Sequence, residues 1–156
     1  MMTLADIKKK CLKIMKEYYP TTKYKYYSNA VVESFIRPCF FTEITIDQSD
    51  TASFGAEHFM GSFSIEILQD VIDEAGALEI ATTLKKAFGR YFMVKLSDNT
   101  DERTVRVKGF DFDFVGTENN VPVITVDLEW YDCITDTVDA DPMEDVDVSI
   151  IVEAED

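Results

Sequence analysis

Two stretches late in the chain, Thr104 to Phe114 and Val121 to Tyr131, alternate apolar and polar residues on either side of a short loop, Gly116 to Asn120. Alternation with a period of two gives a strand one apolar face, and a loop this short joins antiparallel neighbours. On the returning strand Ile124, Val126, Leu128 and Trp130 point one way, and Asp127 and Glu129 the other. On the outgoing strand Val105 and Val107 share one parity, whereas Phe110, Phe112 and Phe114 share the opposite one. Gly109 stands at the change of phase, which predicts a bulge there. A chain organised round such a pair needs an antiparallel sheet and something to cover its apolar face.

Two helices are available to do so. Thr3 to Tyr19 carries Leu4, Ile7, Cys11, Ile14, Met15 and Tyr18 on one stripe, with Lys8, Lys9, Lys10, Lys13 and Lys16 elsewhere. Thr3 and Asp6 form a capping-box start, and Pro20 stops the helix. Asp70 to Phe88 repeats Val71, Ala75, Leu78, Ala81, Leu84 and Phe88 at helical spacing, with Asp70 as cap and Gly89 as stop. Further strands are expected at Lys23 to Tyr27, on a sheet edge, and at Phe40 to Ile46, Met60 to Leu68 and Tyr91 to Leu96, with Asp47 to Glu57 a polar loop. The order predicts an α+β fold: a largely antiparallel β-sheet with two amphipathic helices packed on one face. The opposite face, bearing Glu43, Glu66, Asp127 and Glu129, should be solvated.

Residues 1–135 read as one domain and 136–156 as an acidic C-terminal arm. The arm has nine carboxylates and no Lys or Arg, within a net charge of −15. Val146, Val148, Ile150 and Val152 alternate inside it, predicting a strand at 146–152. Such acidity argues against tight nucleic-acid binding. No apolar run approaches the ~20 residues needed to span a bilayer. The start Met1-Met2-Thr3-Leu4-Ala5-Asp6 shows no secretory signal, and Cys11, Cys39 and Cys133 lack CxxC spacing, as expected for reduced cysteines in a cytosolic setting.

Little in the chain points to catalysis or a cofactor. His58 is the one histidine, so any catalytic triad would have to use it, and no nucleophile motif lies near. Glycine-rich phosphate loops are absent. Asp111 and Asp113 alternate with phenylalanines as a half-buried strand requires. The acidic run from Asp136 to Asp147 has no glycine and is broken by Pro142, unlike a calcium-binding loop. No cofactor, no metal site and no enzymatic activity are expected. Phe54, His58, Phe59 and Met60 sit in and after the polar stretch, where exposed aromatic residues would anchor another chain; the alternative is that they fold back on their own sheet. With Val146, Val148, Ile150 and Val152 they make up the candidate subunit or ring interface.

Four segments in order resemble the small tail terminator, or tail completion, proteins of tailed phages and prophages of Gram-positive bacteria. They are the first helix ending Tyr18-Tyr19-Pro20; Ser34-Phe35-Ile36-Arg37-Pro38-Cys39-Phe40-Phe41; the strand Gly61 to Ile67 with the helix ending Leu84-Lys85-Lys86-Ala87-Phe88; and the final hairpin, Val107 to Phe114 with Val123 to Leu128. Together they span most of residues 3–131. The chain departs from the family pattern in having no basic residues between Asp47 and Phe59 other than His58, and in its long acidic arm.

The resemblance implies a non-enzymatic structural protein that forms a homo-oligomeric ring, expected to be a hexamer. It would cap the tail tube, end its polymerisation and offer a head-docking surface. Its partners would be itself, the tail tube protein and the head–tail connector, with no membrane. It would be assembled in the bacterial host cytoplasm and reside in the virion tail or neck. A negative surface suits a channel that conducts DNA. Alternatives are a head–tail connector or other neck protein, an acidic DNA-mimic inhibitor, and, last, a carboxylate hydrolase.

Overall fold

A computed structural model describes residues 1–28, 35–98, 100–116, 118 and 120–133. Helix α1 spans Leu4–Tyr18 and follows β-extended Thr3. Thr3 Oγ1 accepts from the Asp6 amide at 3.2 Å, and the Asp6 carboxylate accepts from the Thr3 amide at 3.0 Å, closing the capping box. Burial opposes the Asp6 charge, but the hydrogen bonds from Thr3 and Ser97 outweigh it and hold its carboxyl below the usual range.

The strands are β1 (Lys25–Tyr27), β2 (Cys39–Ser53), β3 (Ala56–Leu68), β4 (Tyr91–Lys95), β5 (Glu102–Val115) and β6 (Val121–Cys133). Helix α2, Glu74–Phe88, lies between β3 and β4. The six strands form one sheet in the order β1-β2-β3-β6-β5-β4. Every pairing is antiparallel except β1 on β2. The fold is thus α+β. Register places Ile44, Phe63, Val126 and Phe110 in one row across β2, β3, β6 and β5. Thr42, Ile65, Ile124 and Phe112 form the next. This face shares one core cluster with Ile7, Cys11, Ile14 and Met15 of α1 and Ile80, Ala81, Leu84 and Phe88 of α2. The edge strand β1 is fastened by Tyr19, Tyr24 and Tyr26, whose rings lie 5.2–5.6 Å from the buried Phe40 ring. A register shift between Val107 and Gly109 marks the bulge at the expected change of phase.

Three expectations need correction. Asp47 to Glu57 is not a loop: β2 and β3 continue to Ser53 and Ala56, and only Phe54 and Gly55 turn. Gly55 has φ +82°, the left-handed conformation that favours glycine. This part of β2 is exposed, so its side chains carry no apolar face to read; its pairing comes from the backbone ladder with β3.

Helix α2 starts at Glu74, not after Asp70, because the Gln69 side chain bonds both backbone groups of Asp73, donating to its carbonyl at 2.8 Å and accepting from its amide at 3.1 Å. Its buried stripe is Ala77, Ile80, Ala81, Leu84 and Phe88, while Val71 and Leu78 are exposed. Third, Glu129 is not solvated but 7% exposed.

Candidate assembly surface

The outer face of the sheet, opposite the shared core, is built around Glu129. On β6 it is paired with Arg106 of β5 on one side and Met60 of β3 on the other. His58 Nε2 lies 2.9 Å from Glu129 Oε1. Arg106 Nη1 and Lys108 Nζ lie 3.2 and 3.7 Å from Oε2. The bulge inserts Lys108 as an extra residue in β5, and its ammonium reaches the same carboxylate as Arg106. Burial works against the Glu129 charge, but the hydrogen bond with His58 and the charges of Lys108 and Arg106 outweigh it and hold the carboxyl below the usual range. The His58 ring stacks on exposed Tyr131 at 4.7 Å. The cluster neutralises charge and locks three neighbouring strands together. Among the described residues, no group of three His, Cys, Asp or Glu side chains has the arrangement to hold a metal ion.

The sequence-expected interface residues separate in space. Phe54 stands at the hairpin tip with its side chain fully exposed, at 102% of the reference area. Phe59 turns to the core side and stacks on Trp130 at 5.5 Å with planes 10° apart. His58 and Met60 belong to the outer face beside Glu129. Val146, Val148, Ile150 and Val152 lie outside the described residues.

Two features escaped the sequence. The Glu129 cluster is one; its available signal was the outward parity of Arg106 on the strand facing Glu129. The other is Val71 and Ile72, 77% and 68% exposed just beyond the end of β3. They passed as helix residues because Val71 fits the helical period of residues that do lie in α2. Phe54 and this pair flank opposite ends of β3, whose thirteen residues extend about 40 Å.

Among the described residues, both sheet edges are open over much of their length. β1 covers β2 only at Cys39–Phe41, leaving Thr42 to Ser53 with one free side. At the other margin β4 pairs only with β5. Cys11 and Cys39 are buried and their thiols pushed up by desolvation, while Cys133 is exposed. No helix among the described residues is long and apolar enough to cross a membrane.

A family model described as phage tail terminator protein matches residues 6–140. No curated protein matches the chain. Among solved structures, a chain from the virion of a native gene transfer agent particle is similar at 14% identity and a TM-score of 0.41, covering 78% of this chain and 88% of that one.

Proposed function

We propose a capping role from one premise: this chain belongs to the phage tail terminator family. Membership gives it a structural role in the virion tail. The finer reading is a non-enzymatic protein that assembles as a hexameric ring on the last ring of the tail tube, ends tube polymerisation and presents its other surface to the head–tail connector. The resemblance of its segments adds a Gram-positive host. The observation that carries the reading is the family match over residues 6–140.

Two features of the fold support it. The apolar face of the sheet shares one core cluster with residues of both helices, and the outer face is the side proposed for assembly. In this reading Phe54, His58 and Met60 are assigned to the subunit contact, with Phe59 bracing the hairpin from the core side by its stacking on Trp130. Apolar residues stand at two ends of the molecule, Phe54 at one and Val71 with Ile72 at the other, which suits a ring with a partner on each side. The net charge of −15 repels the DNA that passes through the channel.

Native mass spectrometry of the purified chain tests the ring, and co-assembly with tail tube protein tests the cap. A monomer at high concentration that leaves tube growth unaltered would overturn the proposal. Co-assembly with a head adaptor alone would assign the chain to the neck instead.

A further inference from the structure

We infer that the lysine face of α1 in one copy of this chain docks on the acidic outer face of β2 in the next copy, and so sets the head-to-tail register between subunits. The inference rests on the ring reading and names two surfaces that meet in it.

The basic surface comes from one helix. α1 holds five of the chain's fifteen cations, Lys8, Lys9, Lys10, Lys13 and Lys16, against two carboxylates, Asp6 and Glu17. The remainder of the chain holds ten cations and twenty-eight carboxylates. Asp6 is tied into the capping box and, with Glu102, lies on the flank of α1 toward β4. The other flank is lined by Ala5, Lys8, Lys9, Leu12, Lys13 and Lys16, with no carboxylate among them. Lys9 and Lys13 are exposed and four residues apart, so they project together.

The acidic surface comes from the stretch with the opposite bias. Between Arg37 and Lys85 the chain has nine carboxylates and no Lys or Arg. Three of them, Glu43, Asp47 and Asp50, stand exposed on β2. Glu43 lies opposite Ser64 and Asp50 opposite His58, and Asp47 accepts from Ser62 Oγ, which puts all three on the outer face. The basic group beside them, His58, is bonded to Glu129. Within one subunit the two surfaces are kept apart, because Ile7, Cys11, Ile14 and Met15 anchor α1 in the core on the other side of the sheet.

The rows also match in length. Lys9 to Lys16 covers ~10 Å of helix axis and Asp47 to Asp50 ~10 Å of strand. Two unlike surfaces on one chain make a heterologous contact, in which each copy offers its basic side to one neighbour and its acidic side to the other. Such charges choose the partner and its register more than they add affinity.

Native mass spectrometry of K9E/K13E and D47K/D50K tests this, each alone and mixed one to one, at a concentration where the unmodified chain forms the ring. Each variant alone should populate the ring at least about tenfold less. The mixture should regain it with both variants in equal number, since opposite charges then meet at every contact, and that recovery also shows both variants to be folded. A ring that persists in either variant alone, or a mixture that stays dispersed, overturns the inference and leaves the ring standing. An intact K9E/K13E ring that has lost retention of duplex DNA also overturns it, by giving the lysine face to nucleic acid. An unmodified chain that stays monomeric removes the ring reading and the inference together.

Discussion

Glu129 lies between Arg106 and Met60 where a carboxylate stays charged only with its partners in place. Glu129→Gln keeps the shape but leaves Arg106 and Lys108 facing one another without a counter-charge. Both cations are about half exposed, so water screens part of the loss, and the expected destabilisation is about 2 kcal/mol by urea unfolding at pH 7. The sign of the pH dependence follows from the lowered carboxyl. Its contribution is fully present above the ordinary value of 4.5 and is lost as pH falls through the folded-state value below it. The gap between the two proteins should therefore be constant near neutral pH and close in acid; a gap that widens in acid would refute this assignment. Gly61 is a second such position. A Cβ there would collide with the Thr45 carbonyl oxygen and stand 3.2 Å from the Trp130 ring. Gly61→Ala should destabilise by about 1–3 kcal/mol, read as a lowered denaturation midpoint with unchanged slope.

At the scale of elements, what could be read from the sequence follows the physics of burial. The β5–β6 hairpin, α1 with its cap and the bulge at Gly109 were legible because each has one face in the core, and burial writes a period into the residues. The far half of the β2–β3 hairpin was not legible, since β2 there has both faces in water and only its backbone pairing makes it a strand. The start of α2 was hidden for another reason: the Gln69 clamp on Asp73 is a side-chain-to-backbone contact that leaves no periodic trace. Of the candidate interface, the polar stretch around Phe54 was visible as unusual, but not that Phe54 stands in solvent while Phe59 turns back onto Trp130. The hairpin arm also makes a prediction that separates stability from assembly. Phe54→Asp should change unfolding free energy by no more than about 0.5 kcal/mol, because the side chain touches nothing in its own subunit. In native mass spectrometry the same variant should lose the ring. A variant that unfolds would instead make Phe54 part of the subunit's own core.

At the scale of the whole molecule, the sheet divides the labour. One face shares a single core with residues of both helices, the other is locked by a buried carboxylate and its cations, and the three most exposed large apolar side chains among the described residues, Phe54 against Val71 and Ile72, flank opposite ends of β3. Such a subunit carries surfaces for neighbours on several sides, as the proposed ring component between two unlike partners would require. The proposed capping depends on asymmetry: one end of the ring would match the tube, and the other would offer no surface on which another tube ring can grow. Electron microscopy of tail tube protein polymerising with and without this chain tests that claim most directly. The account predicts that tubes stop elongating when the chain is added and carry a ring of it at one end. Tubes that grow to the same lengths with no such ring would contradict it.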